Sequence, residues 1–152
     1  MNFRSVAQIV ILLIASSSFS KVVAQTEAAF QANTSHLWFV GSDGSGGDRG
    51  LGMMAGTSPT ITGLANGGWE VAFQANTGDL WLVGSDGSGG DRGLSMMAGT
   101  SPSITGLADG GWEVAFQANT GDLWFVGSDG SGGDRGLGMM AGTSPSIRSI
   151  SP

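Results

Sequence analysis

The string Phe-Gln-Ala-Asn-Thr begins at Phe30, Phe73 and Phe116, and Met-Met-Ala-Gly-Thr-Ser-Pro begins at Met53, Met96 and Met139, both with a period of 43 residues. From residue 25 onward the chain is one unit written almost three times. The copies are nearly identical, differing at positions such as Gly52/Ser95/Gly138 and Phe39/Leu82/Phe125. A unit of this length cannot bury its apolar face alone and does so by stacking on its neighbours. A period of about 43 is that of a four-stranded propeller blade. The units run over about 25–58, 59–101 and 102–144, with 145–152 left as a closing strand.

Each unit carries strand signals. Ser101-Pro102-Ser103-Ile104-Thr105-Gly106-Leu107 is a short strand opened by proline, where a missing N–H is tolerated. Asp109-Gly110-Gly111, and Asn66-Gly67-Gly68 before it, are hairpin turns. Trp112 to Ala118 alternates, with Trp112, Val114, Phe116 and Ala118 on one face and Glu113 and Gln117 on the other. Asn119-Thr120-Gly121-Asp122 is a second turn. Leu123 to Gly127 reads as a buried strand. Asp129 to Gly136 reads as a glycine-rich loop, and Leu137 to Ala141 as a weaker last strand. No apolar period of 3.6 runs long enough for a helix after the first 24 residues, so the expected fold is all-β, a β-propeller of four-stranded blades with three blades per chain.

The first unit enters at its second strand (Glu27 to Ala32), and Ser144-Pro145-Ser146-Ile147 repeats an opening strand with no unit behind it. Propellers close by pairing such ends, but typically have about 4–8 blades. The expectation is a homo-oligomer, a head-to-tail dimer of six blades without open edges.

Residues 1–24 read as a signal peptide. Arg4 supplies the positive start, Val6 to Ala15 the apolar run, and Val22 and Ala24 the small residues preceding cleavage before Gln25. The run is shorter than the ~20 residues that span a bilayer. The expectation is secretion, with no membrane span. Removing the segment leaves 4 basic against 12 acidic side chains, a net charge of −8. Such a surface repels nucleic acid. The absence of Cys excludes disulfides, thiolate zinc sites and thiol catalysis. A single histidine, His36, argues against His-cluster metal sites and His-dependent triads.

The repeated stretch Gly-Ser-Asp-Gly-Ser-Gly-Gly-Asp-Arg-Gly (Gly41–Gly50, Gly84–Gly93, Gly127–Gly136) admits several chemistries. A phosphate cradle lacks the P-loop lysine and a following helix. Calcium would find oxygens on Asp43, Ser45 and Asp48, at a spacing unlike the EF-hand. A structural loop would use Asp and Ser for turn bonds. Sugar recognition would use Asp48 and Arg49, Asp91 and Arg92, and Asp134 and Arg135, beside Trp38, Trp81 and Trp124. Hydrolysis by a carboxylate pair such as Asp43 and Asp48 is disfavoured, because one catalytic centre draws different residues from different units, and no enzyme is expected. Trp69 and Trp112 share a face with Val71/Val114 and Phe73/Phe116 and read as packing residues. The Met pairs read as gap-fillers. His36 stands where other copies have Asp79 and Asp122, and Asn33-Thr34-Ser35 is an N-glycosylation sequon in a surface turn.

The segment from Ser101 to Trp124 resembles the blade of PLL-like β-propeller lectins: a Pro-led strand, an Asp-Gly turn, an alternating strand, then a Leu-Trp strand. The likeness extends over residues 25–152. It implies a propeller with inter-blade pockets for fucose or related sugars and methylated glycans. One departure bears on the ligand: those blades carry further aromatics near a Gly-Gly-Trp stretch at the last strand, where this chain has Leu-Gly-Met-Met. The resulting expectation is a secreted, non-enzymatic, lectin-like protein with repeated sites that act through avidity. The alternative is a structural or protein-interaction propeller that binds no sugar.

Overall fold

A computed structural model describes residues 24–150. All but the last residue of the expected signal peptide, and Ser151 and Pro152, lie outside the described residues. Eleven strands follow in chain order: β1 (Glu27–Gln31), β2 (His36–Gly41), β3 (Gly46–Gly52), β4 (Thr60–Gly63), β5 (Trp69–Gln74), β6 (Asp79–Gly84), β7 (Gly89–Ser95), β8 (Ser103–Gly106), β9 (Trp112–Gln117), β10 (Asp122–Gly127) and β11 (Gly132–Gly138). They form three antiparallel sheets, β1-β2-β3, β4-β5-β6-β7 and β8-β9-β10-β11. Among the described residues the chain is all-β as expected, and the first sheet has no counterpart of the opening strand that the other two have. Among the described residues no helix is long and apolar enough to cross a membrane.

The glycine-rich stretch differs from its reading as a loop. Only Ser42–Ser45 and their equivalents turn; from Gly46, Gly89 and Gly132 onward the chain is strand. The expected last strand at Leu137–Ala141 therefore starts earlier and ends at Gly138. These strands lack the side chains that announce a strand because their backbone lies too close to its neighbour. A Cβ on Gly46, Gly89 or Gly132 would overlap the carbonyl of Phe39, Leu82 or Phe125 on the adjacent strand. Each also carries a bulge. Trp38 pairs Asp48 and His36 pairs Gly52, so three β3 residues oppose one β2 residue. The other sheets repeat the irregularity between Asp79 and Trp81 and between Asp122 and Trp124.

The sheets bury the same residues at each junction. Leu37, Phe39 and Met53 of the first meet Val71, Phe73 and Ala75 of the second. Leu80, Leu82 and Met96 of the second meet Val114, Phe116 and Ala118 of the third. Full burial of a side chain such as Phe73 or Leu80 is worth roughly 1.5–3 kcal/mol, so the stack rather than any one sheet holds the fold. Met53 and Met96 fill these junctions, as gap-fillers should, whereas their equivalent Met139, with no sheet beyond it among the described residues, is only half-buried.

Successive opening strands lie side by side. The Gly106 N–H donates to Thr62 Oγ1 at 2.9 Å, joining β8 to β4. Residues 144–150 form no sheet ladder but repeat this step against β8: the Ile147 N–H donates to Ser103 Oγ at 3.1 Å and the Ser149 N–H to Thr105 Oγ1 at 3.0 Å.

Candidate functional site

The Trp, Asp and Arg of each predicted set do not stay together. Trp38 lies opposite Asp48, Trp81 opposite Asp91 and Trp124 opposite Asp134 on paired strands. Each aspartate closes the bulge beside it, accepting the N–H of Gly50, Gly93 or Gly136 at 2.7, 2.8 and 2.7 Å. The arginine comes next, and side chains alternate between faces. Arg49 stacks over Phe39 at 4.7 Å and Trp69 at 5.8 Å, Arg92 over Trp112 at 5.1 Å, and Arg135 over Phe125 at 4.6 Å. Arg49 and Arg92 thus reach the aromatic ring of the following sheet. The predicted set is divided between the two faces of its sheet.

Trp124 lines a small cleft of about 200 Å³ with Leu94, Ser95, Asn119 and Thr120. The indole N–H groups of Trp38, Trp81 and Trp124 are all enclosed without a hydrogen-bond partner.

A larger cleft opens between the second and third sheets, at the end where β4 turns into β5 and β6 into β7. Its volume is about 530 Å³. Its walls carry Trp69 and Trp112, and its polar groups include Asn66, Glu70, Ser85, Asp86 and Ser128. The sequence reads the two tryptophans as packing residues. Trp112 does pack, with 8% of its surface exposed, and Trp69 stacks on Phe39 at 4.6 Å between centroids, yet both also face the cleft. The signal was the Gly-Gly before each Trp, which keeps the adjacent wall bare.

Backbone bonding fixes this end of the sheets. The Trp69 N–H donates to Ser85 Oγ at 3.2 Å while the Trp69 carbonyl accepts the Ser85 N–H at 2.9 Å. Trp112 and Ser128 repeat the pair. Asn66 Oδ1 accepts the Gly68 N–H at 2.9 Å, an Asx turn that tightens the hairpin.

Gly84 makes the floor. A Cβ there would stand 2.8 Å from Asp86 Oδ1, 2.9 Å from Glu70 Oε2 and 3.0 Å from Ser88 Oγ, so three oxygens converge on a bare backbone. Asp86 stays ionised readily, because the Ser88 hydroxyl and N–H hold its carboxyl below the usual range. Glu70 is 5% exposed, and burial pushes its carboxyl up to about 7, with Arg92 pulling it down and Asp86 adding to the rise. In the third sheet the equivalent Glu113 lies 3.9 Å from Arg135.

The oxygens considered for calcium or acid–base work serve turns. Asp43 Oδ1 accepts the Ser45 N–H at 2.9 Å and hydroxyl at 2.6 Å, and Asp48 Oδ2 contacts His36 Nδ1 at 3.0 Å. Among the described residues no group of three or more His, Cys, Asp or Glu side chains is placed to hold a metal ion. Asn33 is exposed in the turn between β1 and β2, where a glycan could stand clear of the sheets. No protein-family model matches the chain, and a search of curated proteins finds no match.

Proposed function

We propose that this chain is a secreted, lectin-like β-propeller protein, three blades to the chain and completed to six by a second copy, that recognises glycans, fucosylated ones included, and catalyses nothing. The observation that carries the reading is the cleft between successive sheets. Trp69 and Trp112 offer aromatic surface to the apolar face of a sugar ring, and Asn66, Glu70 and Asp86 offer acceptors and donors to its hydroxyls. The side-by-side step from β4 to β8, repeated from β8 to residues 144–150, supports the propeller, since an equal step between opening strands sets sheets around an axis.

Repetition supports a lectin over an enzyme. A second cleft at the first junction has Gln25, Thr26 and Glu27 on one side and Trp69 on the other, so a tryptophan-walled cleft recurs, with Thr26 in the place of a second tryptophan. Several weak sites on one body gain strength on a multivalent surface without new contacts.

Titrating the intrinsic tryptophan fluorescence with free monosaccharides tests the reading. A saturating change with fucose or a related sugar, lost in Glu70→Gln or Asp86→Asn, supports the cleft. Loss instead in Trp81→Ala or Asp91→Asn would move the site to the predicted Trp–Asp–Arg set. No response to any sugar from folded protein leaves the protein-interaction propeller.

A further inference from the structure

Resting on the propeller reading above, we propose how two copies join: residues 146–149 of one copy add as a fourth strand to the open edge of β1 of the other, with Ile147 opposite Ala28 and Arg148 opposite Glu27.

The register follows from the complete sheets. In the second, Ile61 pairs Val71 and Thr62 pairs Glu70. In the third, Ile104 pairs Val114 and Thr105 pairs Glu113. One period on, the opening strand reads Ser146-Ile147-Arg148-Ser149; one period back, the second strand is β1, with Glu27 at the position of Glu70 and Glu113. Among the described residues β1 pairs only with β2, so one edge of it is free to accept a strand. Residues 144–150 already lie beside β8 as β8 lies beside β4, poised at the position of the next opening strand.

Of the three copies of the opening strand, only the one at the joint carries a charge, Arg148. Within the chain a threonine faces the glutamate in both complete sheets. At the joint an arginine would face it, and opposite charges directly across an antiparallel pair attract. A strand given by another copy would thus carry a charge complementary to its seat.

The open faces match as well. Phe30 is 41% exposed, whereas its equivalents Phe73 and Phe116 are fully buried against the preceding sheet. Leu123 and Phe125 are half-buried, whereas Leu80 and Leu82 are fully buried against the following one. Docking the third sheet of one copy on the first sheet of the other would repeat the junctions within the chain.

The joint would also complete a site. Leu107, Asp109, Trp112, Glu113, Ser128 and Asp129 form a small recess of about 140 Å³, one wall of the larger cleft repeated one period later. The opposite wall would come from the partner's Gln25, the partner's Thr26 and the partner's Ser42. Two such joints close a six-sheet ring in which each joint has a two-walled cleft, with Thr26 in the place of the second tryptophan.

The chain has no cysteine, so a paired substitution reports cleanly. Ala28→Cys with Ile147→Cys, in the full chain under mild oxidation, should run at twice the chain mass without reductant. Ala28→Cys with Arg148→Cys, displaced by one residue onto the opposite face, should not cross-link. At low salt, Glu27→Arg and Arg148→Glu should each raise the dimer dissociation constant at least tenfold, and the double exchange should restore it. No cross-link in folded protein, a cross-link closing within one chain, or charge variants whose effects simply add would overturn the joint. A folded monomer that still binds sugar would remove the joint and leave the lectin reading. A cross-linked dimer that binds none would do the reverse.

Discussion

The Gln74 side chain, buried in the second sheet, donates its amide to the Met97 carbonyl at 3.1 Å and accepts the Gly99 N–H at 3.0 Å. The linker toward the third sheet is thereby pinned to the sheet it leaves. Its other side is held by the third sheet, where the Met97 N–H donates to the Gln117 carbonyl at 2.9 Å. Gln31 and Gln117 hold the other linkers in the same way.

Gln74→Leu keeps the volume and removes these bonds, while the Met97 carbonyl keeps the Thr100 N–H and hydroxyl and the exposed Gly99 N–H turns to water. A hydrogen bond of this kind contributes about 0.5–1.5 kcal/mol net. The expected loss is about 1–3 kcal/mol, seen as a lower urea midpoint at unchanged slope.

Ser35 is the only non-glycine among the described residues with positive φ, at 64°. Its equivalents are Gly78 and Gly121, both at 95°. Ser35→Gly should stabilise the protein by about 1 kcal/mol, since a side chain in the left-handed region is disfavoured by that order. It also removes the sequon at Asn33, so in a glycosylating host the same variant should lose any glycan mass there.

Glu70 gives stability a pH dependence of known sign. Its folded value of about 7 lies above the ordinary 4.5, so the folded state holds the proton more tightly than the unfolded one. Its contribution is present below pH 4.5 and is lost as pH rises through about 7, on the order of 3 kcal/mol in all. Thermal melts should show wild type losing stability between pH 5 and 8 and Glu70→Gln losing less. Asp43, Asp86 and Asp129 run the other way. Their serine partners hold them below the ordinary 3.8, so their contribution is present above that value and lost as pH falls further.

Gly89 and Gly90 separate close approach from backbone strain. Both have φ near 130°, at 128° and 130°. A Cβ at Gly89 would overlap the Leu82 carbonyl, whereas one at Gly90 meets nothing within 4 Å. Gly90→Ala should cost about 1–3 kcal/mol from the backbone alone. Gly89→Ala should cost clearly more in the same denaturant titration.

The sheets were legible because side-chain alternation is written on β5 and β9 and their turns carry Asn-Gly or Asp-Gly. β7 and β11 were not, because a strand whose glycines press against their neighbour shows no alternation to read. The same blindness affected Gln74 and Gln117. They alternate as outward polar residues should, yet a linker from the same sheet folds over and buries them. Of the candidate site, the pairing of Trp81 with Asp91 was readable from their shared unit, but the bulge that sends Arg92 to Trp112 was not. Trp69 and Trp112 were read as core, and a residue with one face in the core and an edge in a cleft looks the same in sequence as one wholly buried.

A glycan array probed with the folded chain puts sugar recognition itself to the test. Retention is expected on dense, sugar-bearing spots, fucosylated ones among them, and is expected to be lost when Glu70→Gln is combined with Asp86→Asn. Folded protein that binds no glycan at any density would contradict it.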